Sequence, residues 1–191
     1  MATFDNECLD QYRRGQVEAL GKLIEHYRRP LFGFILKMTE NPLEAEEIFQ
    51  EVWFRAIRKL DSYREKSFLS WLFRIAHNLV IDQSRKKKPD FSLQEHRDDE
   101  QPMEEKIASS GLSPDQIAGG HDMGRRIRAA VARLPVEQRE VFLMRTEPEL
   151  SFKEIAKIQG TSINTALARM QYALAKLKAE LAGDYEALSR T

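Results

Sequence analysis

The stretch FLSWLFRIAHNLVIDQSRKKK, residues 68–88, places an aromatic-rich amphipathic segment directly in front of four consecutive cations. Phe68, Leu72, Ile75, Ala76 and Leu79 recur at three- and four-residue steps, so they line one face of an α-helix, with Trp71 at its edge. The other face carries Arg74, His77, Asn78, Asp82 and Arg85, a set of donors, acceptors and flat polar groups. An ordinary solvated face would more often show Glu and Lys. Two readings stay open on this segment alone: a core helix with a solvated basic end, and a helix that binds nucleic acid.

Helical periodicity continues outward from it on both sides. Before it, residues 5–14, 16–38 and 43–60 read as helices, punctuated by Gly15, by Asn41-Pro42 and by the polar loop DSYREKS at 61–67. After Pro89 the composition changes. Residues 90–122 are acidic, interrupted by Pro102, Gly111, Pro114, Gly119 and Gly120, and poor in large apolar side chains, which is linker composition. Beyond it, helices are expected over 123–133 and 136–146, separated by Leu134-Pro135, then a short helix opened by the capping box Ser151-Phe152-Lys153-Glu154, and a long helix after Gly160-Thr161-Ser162. Sustained two-residue alternation and Asn-Gly or Asp-Gly turns are missing, so the expected fold is all-α. Two small helical domains, 1–89 and 123–191, would be joined by a flexible acidic linker at 90–122.

The formal net charge is zero over 191 residues, yet this is a sum of opposites. Residues 1–89 carry about +3, residues 90–122 about −7 and residues 123–191 about +4. A single cysteine, Cys8, excludes an internal disulfide and a multi-cysteine zinc site, and fits a reducing compartment. No apolar run approaches the roughly 20 residues that cross a bilayer, and the N-terminus lacks the basic and apolar regions of a signal peptide. A cytoplasmic protein is expected.

The short capped helix, the Gly160 turn and the helix after Ser162 have the form of a helix-turn-helix. Ile155 and Ala156 on the first helix would pack on Ile163, Ala166, Met170 and Leu177 of the second. Asn164, Thr165, Ala168, Arg169, Gln171 and Tyr172 would then face outward. Asn and Gln suit adenine edges, Arg suits guanine or phosphate, and Thr or Ala suits thymine methyls. The helix N-terminus at Ser162 could offer backbone N–H groups to a phosphate. The same geometry also occurs in plain helical bundles.

The helix 43–60 carries Glu44, Glu46, Glu47, Gln50 and Glu51 early and Arg55, Arg58 and Lys59 late, as the helix dipole favours. Three readings remain for it. It is a charged surface helix; or Glu47 and Glu51, one turn apart, ligate a divalent metal or act as acid and base; or Glu47, Gln50 and Glu51 form a protein-docking side, with Ile48, Phe49 and Val52 inward or at the rim.

Taken together, EAEEIFQEVWFRA at 44–56, the stretch at 68–88, LPVEQREVFLMR at 134–145 and SFKEIAKIQGTSINTALARMQYALAKL at 151–177 resemble bacterial RNA polymerase sigma factors of the extracytoplasmic-function group, in the family's order and over nearly the whole chain. The resemblance implies a non-enzymatic subunit, without cofactor, metal or small-molecule substrate. It would bind core RNA polymerase through Glu47, Gln50 and Glu51. It would read the melted minus-ten element through Arg74, His77, Asn78 and Arg85, with Lys86 and Lys87 on phosphates and the loop 61–67, including Ser62 and Tyr63, receiving a flipped base. Ser162, Asn164, Thr165, Ala168, Arg169, Gln171 and Tyr172 would face the duplex minus-thirty-five element. An anti-sigma partner is also implied, and no membrane insertion.

The chain departs from the family at the second reader. Leu167 stands where a Lys is usual, and Tyr172 and Leu174 where Arg is usual, so phosphate anchoring should be weaker there. Alternatively Leu167 joins a core stripe with Ile163, Met170, Leu174, Leu177 and Leu181. Two other functions remain: a helix-turn-helix regulator acting through 151–177 alone, and a metal-dependent nuclease using Glu44, Glu47 and Glu51.

Overall fold

The computed structural model describes residues 2–64, 67–87 and 120–188, and all the regular structure among them is helical. Four helices come first: α1 (Ala2–Arg13), α2 (Glu18–Thr39), α3 (Pro42–Lys59) and α4 (Phe68–Lys87), with a 3-10 turn at Leu60–Ser62. Four follow: α5 (Gly120–Ala132), α6 (Val136–Thr146), α7 (Phe152–Gln159) and α8 (Ile163–Leu188). Of the expected linker, all but Gly120–Asp122 lies outside the described residues, and those three already belong to α5.

Local chemistry explains the helix ends. The Asn41 side chain accepts hydrogen bonds from the Leu43 and Glu44 amides at 3.0 and 3.3 Å, and Pro42, with no amide hydrogen to satisfy, occupies the first helical turn of α3. Ser151 and Glu154 form the expected reciprocal capping box on α7. Gly160 closes α7 at φ 65°, a left-handed conformation that suits glycine.

The first four helices pack through α1 on α2, α2 on α3 and α4, and α3 on α4. Leu23, Tyr27, Leu31, Phe34, Ile35 and Met38 of α2 supply the central stripe. Phe68 sits at the hub of an aromatic cluster, with the rings of Tyr27, Trp53, Tyr63 and Trp71 at 5.7, 6.3, 5.4 and 5.5 Å. Beneath it, the buried Tyr27 hydroxyl donates to Asp5. Burial and then this bond hold the hydroxyl well above the ordinary phenol range. Cys8 is buried beside α2, and burial raises its thiol pKa.

In the second half α5, α6 and α7 all pack on α8. The halves also meet each other, α4 against α7 and α2 against α6, and their buried apolar side chains form one cluster from Cys8 to Leu177.

Burial along α4 departs from the expected stripe, with Trp71 set against Tyr63 and Phe68, and Phe73 against Phe34. Phe68, Leu72 and Ala76 are buried as anticipated, but Trp71 is buried rather than at an edge, Phe73 and Val80 are buried too, and Ile75 and Leu79 are only partly covered. A helix packed on two sides buries more than one stripe. On α8 the core positions are Ala166, Met170, Ala173 and Leu177, while Ile163 and Leu174 are 45 % and 42 % exposed. The expected stripe through Ile163 and Leu174 is therefore corrected: α5, α6 and α7 converge on a neighbouring face of the helix, which the small Ala166 and Ala173 let them approach closely.

Candidate nucleic-acid interface

Three sets of residues were singled out by the sequence, and the fold treats each differently. On α4, Asn78, Asp82, Arg85 and Lys86 are exposed, whereas Arg74 and His77 are only partly so. Three- and four-residue steps put Arg74, His77, Asn78 and Arg85 on neighbouring lines of one helix. Covering by the second half then divides them. His77 Nδ1 lies 2.5 Å from the Glu140 carboxylate of α6, and the Ser70 hydroxyl donates to Glu154 of α7 at 2.6 Å. The side chain of Lys87 lies outside the described residues.

The loop before α4 is partly pinned. The Ser62 hydroxyl donates to the Lys59 carbonyl at 2.9 Å, and the Arg64 guanidinium donates to the carbonyls of Asp61 and Tyr63 at 2.8 and 2.7 Å. Tyr63 is buried, its ring 4.9 Å from Trp71. The sequence expected Tyr63 to meet a flipped base, and the fold sets its ring within the aromatic cluster. A solvent-open cleft of about 200 Å³ lies beside it, lined by Asn6, Leu9, Arg13, Tyr63 and Arg64.

On α8, Ser162, Asn164 and Tyr172 are exposed, and Thr165, Ala168, Arg169 and Gln171 are half-covered. The Ser162 hydroxyl accepts the Thr165 amide hydrogen at 3.0 Å. One of the amide groups at this helix N-terminus is thus already satisfied, and the rest remain the anion-attracting end. Arg169 donates to the Gln159 side-chain carbonyl at 2.9 Å, which holds its guanidinium over the turn between α7 and α8.

The third set lies on α3. Glu47 and Gln50 are exposed, and Glu51 pairs with Arg55 at 2.6 Å. Ile48, Phe49 and Val52 are buried. Glu44, Glu47 and Glu51 of the nuclease trio follow three- and four-residue steps and share one side of α3, with Glu44 buried and Glu47 exposed, and among the described residues no three His, Cys, Asp or Glu side chains are grouped to hold a metal ion. Sequence reasoning missed the apolar members of this surface: Leu43 is 79 % exposed, Phe54 55 % exposed and Ile57 also open. Leu43, Glu47, Gln50, Phe54 and Ile57 follow alternating steps of four and three residues, the 3.5-residue period that a supercoiled helical partner matches. That spacing is visible in the sequence and could have revealed them.

Glu140 and Glu154 were also missed. Glu140 has no solvent exposure, accepts from the Gln159 amide at 2.6 Å and faces His77. Such a carboxylate needs both partners, since removing them would leave a buried charge uncompensated. Its spacing from Val136, Leu143 and Met144 on α6, at three- and four-residue steps, was the available signal. Burial of Glu154 pushes its carboxyl pKa up, but hydrogen bonds from Ser70, from the side chain and amide of Ser151, and from Ser67 outweigh this and hold it below the ordinary carboxylate value.

The model of sigma-70 region 2 matches residues 23–89, and that of sigma-70 region 4 matches residues 124–177. The ECF RNA polymerase sigma factor SigW of Bacillus subtilis is 30 % identical over 91 % of this chain and 94 % of its own. Among solved structures, CnrH in complex with the cytosolic domain of CnrY is similar with a TM-score of 0.67 at 21 % identity, covering 95 % of this chain and 99 % of that one. The sigma factor RpoE of Bartonella quintana, solved with the anti-sigma factor NepR, has a TM-score of 0.63 at 24 % identity, covering 85 % and 96 %. At these identities the two structures speak for the fold.

Proposed function

The chain belongs to the extracytoplasmic-function group of sigma factors, and from that premise we propose that it is a cytoplasmic promoter-specificity subunit that recruits core RNA polymerase and performs no chemistry itself. The segments 1–89 and 123–191 act as its two working domains. Among the described residues no helix is long and apolar enough to cross a membrane. The observation that carries the reading is the α3 stripe: exposed Leu43, Phe54 and Ile57 in register with Glu47 and Gln50 give apolar anchors beside a carboxylate-bearing rim. Such a stripe serves a basic, coiled-coil-like partner, here the clamp of core polymerase, and its charge sets register and on-rate.

Asn78, Arg85 and Lys86 on α4 then meet the minus-ten strand, with Arg74 and His77 joining once uncovered. Extruding a base from the stack costs a few kcal/mol. Binding to the opened strand offsets that cost through phosphate contacts from the cations and polar contacts from Asn78. Tyr63 and Trp71 act as the rigid wall behind the loop. On α8, Asn164, Arg169 and the exposed Tyr172 address the minus-thirty-five groove. An anti-sigma protein is the regulator we assign to it.

The test is reconstitution with core polymerase. The chain should bind it and direct run-off transcription from a fixed start site; DNA binding without polymerase, and no run-off, would return it to an autonomous helix-turn-helix regulator. Two substitutions sharpen the assignment. Asn78→Ala should slow promoter opening by about 5- to 10-fold, the worth of one or two hydrogen bonds, while closed-complex formation is unchanged. Equal losses in permanganate footprinting and gel-shift assays would remove Asn78 from the melted strand. Arg169→Ala in the polymerase-bound protein should weaken binding to a minus-thirty-five duplex by about 5- to 100-fold, the range for losing a bidentate base contact. Unchanged affinity would move the contact elsewhere.

A further inference from the structure

The outer face of α8 carries no charge. From Ser162 to Ala175 the one charged side chain is Arg169, and its guanidinium is bonded to the Gln159 side-chain carbonyl at 2.9 Å, towards the turn that precedes the helix. The buried line of α8 runs through Ala166, Met170, Ala173 and Leu177. At 3.6 residues per turn, Asn164, Ala168, Gln171, Tyr172 and Ala175 lie within about 50° of the side opposite to it. Asn164, Tyr172 and Ala175 are exposed, Tyr172 at 59 %, and Ala168 and Gln171 are half-covered. Methyl groups and an aromatic ring thus form the centre of this face, with two carboxamides along one side.

Base pairs in the major groove ask for different partners. Guanine is read by the paired donors of a cation and adenine by a carboxamide, while thymine presents a C5 methyl that takes an apolar contact. A face of this composition can address both members of an A·T pair, the carboxamides of Asn164 and Gln171 on adenine and the Ala168 methyl or the Tyr172 ring on the thymine methyl. For guanine it has no cation apart from Arg169, which lies on a flank, about 70° from the buried line.

Phosphate anchoring must then come from beside the face. Lys153 and Lys157 of α7 are exposed and one turn apart, so they share a side of that helix. In a helix-turn-helix the first helix crosses the DNA backbone while the second enters the major groove. The amides at the start of α8 add a second point that attracts phosphate. A cationic rim beside an uncharged centre is complementary to a groove walled by phosphates, whereas an apolar protein groove offers that rim no counter-charge.

We propose that the minus-thirty-five reader of this chain selects A·T pairs through their thymine methyl groups, with Ala168 and Tyr172 as the methyl contacts, and that Lys153 and Lys157 supply the phosphate contacts that α8 lacks. This selectivity rests on α8 facing the minus-thirty-five duplex and adds the base chemistry that is read there.

The experiment uses the full chain bound to core polymerase and a duplex carrying the minus-thirty-five element, recovered from a randomised pool. The recovered elements should be dominated by A·T pairs. Replacing each thymine in turn by uracil removes one methyl group and leaves the pairing edges in place. Affinity should fall about 4-fold at each contacted site, the worth of one buried methyl-sized group. Tyr172→Ala should abolish that penalty at one thymine and Tyr172→Phe should restore it, with circular dichroism verifying that both variants fold. Lys153→Gln and Lys157→Gln should each reduce the slope of log affinity against log salt by about 0.9, the share of one phosphate contact.

Equal affinity for the thymine and uracil duplexes, while Arg169→Ala still weakens binding, would overturn the methyl reading alone. Indifference to both changes would take α8 off the duplex and leave its uncharged face to a protein partner. Elements dominated by G·C pairs would overturn the A·T preference. A uracil penalty that persists at every site in Tyr172→Ala would remove Tyr172 from the contact, and unchanged salt slopes would overturn the role of the two lysines.

Discussion

Glu47→Lys is expected to lower the affinity for core RNA polymerase by about 10- to 100-fold, because it sets a cation against a basic docking partner, and like charges juxtaposed at an interface cost several times the thermal energy. Glu47 is exposed midway along α3, between Leu43 and Gln50 on the same stripe, and Ile48 and Phe49 beside it hold the helix to the core. The substitution should leave stability nearly unchanged, since surface changes away from special features stay within about 0.5 kcal/mol. Fluorescence titration with core enzyme at two salt concentrations checks it. The loss should come mostly as a slower association at low salt and shrink as screening rises. An unchanged affinity at both salts would remove α3 from the docking surface, whatever the family resemblance.

Phe68→Ala is expected to cost about 3–5 kcal/mol of folding stability, the range for emptying a buried aromatic site. Phe68 is essentially unexposed and touches the rings of Tyr27, Trp53, Tyr63 and Trp71 from helices α2, α3 and α4 and the loop between the last two. Those rings belong to separate segments, so the cavity cannot close by moving one side chain. Against a typical total of about 5–15 kcal/mol, such a loss removes much of the domain's margin. Denaturant unfolding should show a lower midpoint, and promoter opening should fail at a lower temperature than in the parent, because Tyr63 and Trp71 lose their support. Tyr172→Ala, at an exposed position on α8, is the matched control and should leave the midpoint unchanged. A loss for Phe68→Ala under about 1 kcal/mol would show that the cluster tolerates collapse and is not the wall proposed for the loop.

Sequence by itself determined the helices and where they stop. Asn41-Pro42, the Ser151–Glu154 capping box and Gly160 act through atoms a few residues away, so their chemistry is complete in the local chain. The family was legible for the same reason, since its motifs are local. Periodicity also placed Arg74, His77, Asn78 and Arg85 together, because a helix fixes the angle of each residue about its own axis.

What only the tertiary structure decided is what lies over those faces. His77 meets Glu140, 63 residues away, and Ser70 meets Glu154, 84 residues away, while Asn78 and Arg85 stay in solvent. Tyr63, read as a loop residue, is buried by rings from elsewhere in the chain, and Ile163 and Leu174, read as core, face outward. A helical repeat states which residues share a side but carries no record of the partner helix, whose approach depends on packing summed over the whole molecule. The segment 68–88 was thus legible from its own residues as an amphipathic helix with a basic end, and its DNA-facing reading came only with the other motifs. That its reading face is half closed by the other end of the chain follows from long-range packing alone.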